Sequence, residues 1–272
     1  MNQGTFALHE RFPGTTLTPY VHHVSTTCPH APRPAMLVLP GGGYEFCYDG
    51  EAEPIALSYM NAGFNAYVLR YACKQDAKFP RPLLEASYAM KLIRDRAAED
   101  NTDPNRVYVI GFSAGGHLAG ALATCWQREE IYTAAGIAYG ENKPNGVILS
   151  YPVVSSGEYR HAGTFCRACG KQDPTQEERA AYAAVDNVTE HCPPVFLWHT
   201  ASDGAVPVEN SLLMATALAA KRIPFALHIF PHGNHGLCLA TSETSKGEAS
   251  AELSDVAEWM HLSITWLANL PK

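Results

Sequence analysis

Apolar, β-branched segments alternate with segments of helical periodicity along most of the chain. Several of the apolar segments contain almost no polar residue, as expected for strands that are covered on both faces. The predicted strands are residues 35–39, 65–71, 106–112, 146–151, 194–200 and 225–230. This alternation predicts an α/β fold with a mostly parallel, doubly wound sheet and helices on both faces.

The segment between the second and third of these strands has apolar residues at intervals of three and four, which predicts a crossover helix at 81–98 with one buried face. The residues of that face are Leu83, Ala86, Met90, Ile93 and Ala97. The sequence Asp-Pro-Asn-Arg at 103–106 then predicts a turn, because proline is favoured at the second turn position. Near the start of the chain, residues 16–24 are a candidate antiparallel edge strand.

Residues 155–192 interrupt the alternation and form the longest gap between predicted strands. A short helical pattern lies near residues 176–184. Long insertions of this kind often cover a binding site, so we expect a cap over the carboxyl edge of the sheet. The 272 residues are enough for one large α/β domain and leave little for a second, which predicts a single domain over residues 1–272.

Composition narrows the classes of partner. The chain is 46% hydrophobic and 17% charged, values that are typical of globular proteins and unlike those of disordered ones. The formal charge of −7 is spread along the chain, which argues against a nucleic-acid partner. A small neutral substrate is the expected ligand, and homo-oligomer formation stays open.

Neither a membrane segment nor a disulfide framework is expected. Residues 1–10 lack a basic start followed by an apolar core, and no stretch approaches the about 18 apolar residues of a membrane span, so we expect a cytoplasmic protein. The eight cysteines are scattered, which favours free thiols. Cys166 and Cys169 have metal-like spacing without a second pair, so no metal is predicted, and a structural metal there remains the alternative.

The most informative motif is Gly-Phe-Ser-Ala-Gly-Gly at 111–116, which follows the apolar residues 107–110. It predicts a strand, a sharp turn and a helix, because glycines around the serine permit strained backbone angles and close packing. Such a turn exposes the hydroxyl of Ser113 and places the N–H of Ala114 at a helix N-terminus, where negative charge is favoured. Ser113 is therefore the candidate nucleophile; the alternative is a tight turn that serves packing only.

A serine nucleophile needs a histidine base and a carboxylate that orients the base. Asp203 directly follows the predicted strand 194–200, and His235 follows the strand 225–230. We predict these two as acid and base, with His232 and Asp186 as weaker alternatives. We expect His117, in the helix after the serine, to point away from the reacting atom.

Donors for a developing oxyanion are predicted in the glycine triplet after the first strand, where side-chain-free residues let N–H groups turn inward. We assign Gly42 and Gly43 to this role together with Ala114. The triplet is followed neither by the Lys-Ser/Thr of a phosphate loop nor by a dinucleotide-binding pattern. Tyr44, next in the chain, is a candidate for lining the substrate pocket, with a packing role as the alternative.

Together these residues resemble the α/β-hydrolase superfamily, and more narrowly the small esterases related to acetyl esterases and acetyl-xylan or feruloyl esterases. The resemblance extends over most of the chain, and it is carried by residues 39–44, 111–117, 151–154, 193–200, 203, 206–211 and 235–236. It departs from the hormone-sensitive-lipase-like pattern at Pro40, where that group has histidine, which weakens any link to lipid esters. The resemblance implies a carboxylic ester hydrolase that forms an acyl-enzyme without a cofactor, acting on acetylated sugars or other short acyl esters.

Two other functions stay open at this point. A prolyl-oligopeptidase-like peptidase uses the same three residue types, but the chain has no room for a gating domain. A non-catalytic binding protein on the same fold is the second alternative, because fold does not dictate function.

Overall fold

Within residues 4–271, which the computed structural model describes, eight strands form one sheet. They are β1 Phe6–Ala7, β2 Thr16–Tyr20, β3 Arg33–Leu39, β4 Asn65–Arg70, β5 Thr102–Phe112, β6 Val147–Ser150, β7 Val195–Thr200 and β8 Phe225–Phe230. The strand order is β1-β2-β4-β3-β5-β6-β7-β8. Only the pairs β1/β2 and β2/β4 are antiparallel, so the mostly parallel sheet is confirmed.

Helices cover both faces of the sheet. They are α1 Glu53–Asn61, α2 Arg81–Asp95, α3 Ser113–Cys125, α4 Glu129–Ala135, α5 Ala162–Cys169, α6 Gln176–Ala180, α7 Ala184–Asn187, α8 Glu209–Ala220 and α9 Ser254–Ala268. Residues of α2, α3, α4 and α8 belong to one hydrophobic cluster, and residues of α1 and α9 belong to another. None of the described helices is both long enough and apolar enough to cross a membrane.

Each central strand contributes to both hydrophobic clusters. In β3, Leu37 belongs to the α2/α3 side, whereas Met36 and Val38 belong to the α1/α9 side. This division follows from the two-residue repeat of a strand, which points successive side chains to opposite faces. The nearly continuous apolar segments of the sequence therefore reflect a sheet that is buried on both faces.

Three local predictions are wrong in detail. The predicted turn at 103–106 lies inside β5, as a bulge where the register against β3 shifts between Arg33 and Ala35. The predicted edge strand is internal, because the two-residue β1 pairs with the outer side of β2. The crossover helix ends at Asp95, which leaves Ala97 outside it and only half-buried.

Residues 155–192 contain three short helices, α5, α6 and α7. The helical pattern predicted at 176–184 is divided between α6 and α7, and a capping box of Thr175 and Glu178 begins α6. Phe165 of α5 is buried and its ring lies edge-on to His117 of α3, with centroids 5.3 Å apart. This contact joins the segment to the helix that begins at Ser113. The single domain and the cap function stay predictions.

Candidate active site

Ser113 lies at a sharp turn between β5 and α3. Its φ of 52° is in the left-handed region, which a residue with a side chain rarely adopts. The flanking glycines are needed for packing, since a Cβ on Gly111 would lie 2.1 Å from the carbonyl oxygen of Gly115. A Cβ on Gly115 would lie 2.1 Å from the carbonyl oxygen of Leu39. The strained turn and close approach expected from the motif are both present, and they leave the serine half-buried at the carboxyl end of β5.

Three side chains from separate loops are brought together at this turn. His235 Nε2 lies 2.8 Å from Ser113 Oγ, and His235 Nδ1 lies 2.7 Å from Asp203 Oδ2. An ionised carboxylate only accepts hydrogen bonds, so Nδ1 carries the proton and Nε2 accepts from the serine hydroxyl. The alternatives lie elsewhere: His232 is exposed, and Asp186 accepts a hydrogen bond from Ser156.

The carboxylate of Asp203 is held by several donors. Its side chain is fully buried, and Oδ1 accepts hydrogen bonds of 2.9 Å from the N–H groups of Ala205 and Val206. Burial raises the pKa of Asp203, but hydrogen bonds from His199 and His235 outweigh it and hold the pKa well below its usual range. Asp203 is therefore ionised at neutral pH and can stabilise a positive charge on His235.

His199 is a second histidine on this carboxylate that the sequence analysis missed. Its Nε2 lies 3.3 Å from Asp203 Oδ2 and 3.0 Å from the carbonyl oxygen of Val206, so Nε2 carries the proton. Its Nδ1 lies 2.9 Å from Ser211 Oγ, from which it accepts. The only sequence signal is a histidine inside the apolar strand β7, four residues before the aspartate.

A cavity of about 460 Å³ opens beside Ser113 and His235, and Gly42 and Gly43 form part of its wall. Both glycines have positive φ, 116° and 63°. Among the described residues, the N–H groups of Gly42 and Gly43 have no protein acceptor. The hydrogen bonds within the loop use other groups, for example the Glu45 N–H, which donates to the Gly42 carbonyl. Ala114 follows Ser113 at the start of α3. The N–H groups of this loop and of Ala114 are therefore suited to donate hydrogen bonds to a substrate oxygen.

Tyr44 requires a correction, since it does not line the cavity beside Ser113. The residue turns back at a φ of 62°, its side chain is fully buried, and its hydroxyl lies 2.8 Å from His117 Nδ1. His117 does not line that cavity either, in agreement with the expected orientation. The aromatic residues of the wall are instead Phe46 and Tyr48, two and four positions later.

Further residues of the wall come from distant parts of the chain. His161 comes from the 155–192 segment, and burial lowers the pKa of its imidazole. The ammonium group of Lys246 lies 4.5 Å from the centre of the Tyr48 ring, within the range of a cation–π contact. Neither residue belongs to a recognisable motif, because only the tertiary fold brings them to the serine.

The described residues contain no group of three or more histidine, cysteine or acidic side chains that could hold a metal ion. Cys166 and Cys169 are free thiols whose sulfurs donate to two different backbone carbonyls, those of Gln172 and Glu178. The pair therefore does not form a preorganised site. That the chain needs no metal or cofactor stays a prediction.

A family model described as BD-FAE matches residues 26–218 of the chain. Endo-1,4-beta-xylanase B of Butyrivibrio fibrisolvens is 40% identical over 227 residues, which cover 82% of this chain and 35% of that protein. The chain thus spans well under half the length of such curated relatives.

Solved structures match over nearly the full length. MGS-M1, an alpha/beta hydrolase from a Medee basin deep-sea metagenome library, is 38% identical with a TM-score of 0.81, covering 98% of this chain and 96% of that one. An acetyl ester-xyloside bifunctional hydrolase from Caldicellulosiruptor lactoaceticus is 35% identical with a TM-score of 0.81, covering 97% and 95%. These similarities confirm the predicted α/β-hydrolase fold.

Proposed function

We propose that this chain, which belongs to the BD-FAE family and has an α/β-hydrolase fold, is a carboxylic ester hydrolase that cleaves short acyl esters, with Ser113, His235 and Asp203 as its catalytic triad. Acetyl esters of sugars or of xylan fragments are the proposed substrates. The hydrogen-bonded chain from Ser113 Oγ through His235 to Asp203, with contacts of 2.8 and 2.7 Å beside an open cavity, carries this proposal.

In the acylation step, Ser113 Oγ attacks the ester carbonyl carbon while His235 Nε2 takes the hydroxyl proton. The carbonyl oxygen becomes an oxyanion, which accepts hydrogen bonds from the N–H groups of Gly42, Gly43 and Ala114. The bond to the alcohol oxygen then breaks, and His235 returns the proton to that oxygen. Asp203 stays ionised and stabilises the imidazolium that exists between the two proton transfers.

In the deacylation step, water takes the place of the alcohol. His235 removes a proton from the water as its oxygen attacks the acyl carbon, and the same three N–H groups stabilise the second oxyanion. The bond between Ser113 Oγ and the acyl carbon breaks, and His235 returns the proton to the serine. The products are the free acid and the original enzyme, with no change in oxidation state.

The walls of the cavity support a sugar as the alcohol part of the ester. Phe46 is 53% exposed and lines the cavity next to Tyr48, and polar side chains such as His161 and Lys246 belong to the same wall. Aromatic rings in such a wall provide apolar faces against which the C–H face of a pyranose packs, while the polar neighbours bind its hydroxyls. The names of the two xylan-related proteins above agree with this substrate class.

We further propose that residues 155–192 act as a cap that limits the size of the substrate. His161 supports this role, because it reaches from this segment to the cavity wall. The hydrogen bond from Thr164 N–H to His161 Nδ1, 3.2 Å long, fixes the ring at the start of α5. An imidazole held in this way can contact the substrate without taking part in the proton transfers at Ser113.

Hydrolysis of p-nitrophenyl esters from acetate to decanoate, followed by acetylated xylo-oligosaccharides, tests the proposal. We expect activity on the short acyl chains only, and its loss in Ser113→Ala while the variant keeps the wild-type melting temperature. A preference for long acyl chains would contradict the substrate class. Ligand binding without turnover in the wild type would indicate a binding protein instead.

A further inference from the structure

Glu51 is a buried carboxylate at the active-site cavity that the reaction steps above do not use. It is 2% exposed and lines the cavity together with Ser113 and His235. Its Oε2 accepts a 2.6 Å hydrogen bond from the N–H of Gly41, and its Oε1 accepts a 2.8 Å hydrogen bond from the hydroxyl of Tyr151. Burial raises the pKa of Glu51, and these two donors offset part of that effect.

Tyr151 connects Glu51 to the loop that carries the histidine. Its hydroxyl oxygen accepts a 3.1 Å hydrogen bond from the N–H of Cys238, three residues after His235. The Tyr151 ring also packs edge-on against the His235 imidazole, with centroids 5.0 Å apart. The residue directly follows β6, and its backbone has a φ of 36°. Tyr151 is therefore fixed between the buried acid and the histidine loop.

Gly41 connects Glu51 to the glycine loop. A Cβ at this position would lie 2.7 Å from Glu51 Oε2 and 2.9 Å from Ser113 Cβ, so the backbone is packed between the carboxylate and the serine. The carbonyl oxygen of Gly41 accepts a hydrogen bond from Tyr48 N–H, which closes the loop around Gly42 and Gly43. Any movement of Gly41 shifts the two glycines that follow it.

We propose that Glu51 and Tyr151 form a positioning pair that sets the oxyanion-binding glycines and His235 at a fixed distance across Ser113. The link runs from the Gly41 N–H through both carboxylate oxygens and the Tyr151 hydroxyl to the Cys238 N–H. Neither member of the pair exchanges a proton with the substrate. The inference rests on the proposed function, because the positioned groups are those assigned to ester hydrolysis.

The pair should act on kcat rather than on KM. The glycine N–H groups stabilise the oxyanion, and His235 transfers the proton. The oxyanion and the proton transfer occur only during the reaction, so a displaced loop weakens interactions with the transition state. A misplacement of 1 Å in such a site costs about 100-fold in rate. The rings that bind the ground-state substrate, Phe46 and Tyr48, lie on the wall and not in the link.

Tyr151→Phe is the direct test, since it removes one hydroxyl and keeps the ring that packs on His235. With p-nitrophenyl acetate we expect kcat to fall about 10- to 100-fold, with an unchanged KM. Tyr67→Phe is the matched control: Tyr67 is also fully buried and donates a 2.8 Å hydrogen bond to a buried carboxylate, that of Asp100. It lies by the start of β5, at the opposite end of that strand from Ser113, and should leave kcat unchanged.

Two variants of Glu51 give an independent comparison that does not need Tyr151→Phe to fold. In Glu51→Gln the amide oxygen can accept from Gly41 and the amide nitrogen can donate to Tyr151, so both links survive without the charge. Glu51→Ala removes both links. We expect kcat to fall less in Glu51→Gln than in Glu51→Ala.

The outcomes are distinct. An unchanged kcat in Tyr151→Phe, an equal loss in Tyr67→Phe, or equal losses in the two Glu51 variants would overturn the positioning role while leaving the proposed function intact. A rise in KM in place of a fall in kcat would also overturn it. An inactive wild type would overturn the proposed function, and this inference with it.

Discussion

Replacement of Asp203 by asparagine tests the proposed role of the acid with almost no change in shape. Two backbone N–H groups, those of Ala205 and Val206, hold Oδ1 at 2.9 Å. The amide oxygen of asparagine should take that position because it accepts, which turns the NH₂ group towards His235. The 2.7 Å contact between Asp203 Oδ2 and His235 Nδ1 then becomes a contact between two donors.

The magnitude follows from the tautomer of the imidazole. To avoid the clash, Nδ1 must lose its proton and Nε2 must gain one, so Nε2 can no longer accept the proton of Ser113. Loss of the correct tautomer lowers kcat by about 10⁴-fold in serine hydrolases of this type. That factor corresponds to about 5 kcal/mol of activation free energy. KM should change little, because Asp203 is buried and does not line the cavity.

The assay is steady-state hydrolysis of p-nitrophenyl acetate at neutral pH. Asp186→Asn is the matched control, since Asp186 also accepts a hydrogen bond, 2.6 Å long from Ser156 Oγ, yet makes no contact with His235 among the described residues. It should keep the wild-type kcat. A tenth or more of the wild-type kcat in Asp203→Asn would refute the tautomer argument, and a large loss in Asp186→Asn would point to the wrong acid.

Three further outcomes are expected. Phe46→Ala should raise KM for an acetylated xylo-oligosaccharide about 10-fold and leave the kinetics with p-nitrophenyl acetate unchanged, because Phe46 lines the cavity. Tyr139→Ala is the control, since Tyr139 is 61% exposed and does not line that cavity, and it should leave the kinetics with both substrates unchanged. In urea denaturation, Gly115→Ala should lower the free energy of unfolding by about 3 kcal/mol or more, because the added Cβ would lie 2.1 Å from the carbonyl oxygen of Leu39. Gly157→Ala is the control and should not lower it in this way, because its Cβ would lie 3.8 Å from the nearest atom, Ser155 Oγ. The pKa of Asp203 is lower in the folded chain than in the unfolded one, so ionised Asp203 contributes fully to the free energy of unfolding above pH about 4, and this contribution decreases as the pH falls towards the folded pKa. In the same urea denaturation, the difference in free energy of unfolding between wild type and Asp203→Asn should therefore shrink under acid conditions.

The parts of the fold that depend on short-range pattern were predictable. β7 and β8 lie at residues 195–200 and 225–230, against predictions of 194–200 and 225–230. Ser113, Asp203 and His235 were accessible for the same reason, since each follows a predicted strand and parallel strands end at one edge. The structure brings these three side chains together, while their catalytic roles stay predictions.

Features that depend on tertiary contacts were not predictable. Tyr44 follows the glycine loop in sequence but turns under it, whereas Phe46 reaches the cavity. Glu51 and Tyr151 are 100 residues apart and meet only in the folded chain. The turn motif at 103–106 was recognised, but its residues form a bulge because the neighbouring strand β3 pairs on both sides of it.

Several expectations concern matters on which the fold has no bearing. The cytoplasmic location, the absence of nucleic-acid and membrane partners, and homo-oligomer formation stay predictions. Each depends on the cell or on a second molecule.

Labelling with a fluorophosphonate tests the central claim, that Ser113 is the nucleophile of an ester hydrolase, most directly. Such reagents phosphonylate a serine only where a base activates it. Activity on p-nitrophenyl acetate and intact mass should be followed together, with the modified residue located by peptide mapping. The account predicts one label, on Ser113, that increases in proportion to the activity lost and is absent from His235→Ala. A label on another residue, or full activity after Ser113 is modified, would contradict it.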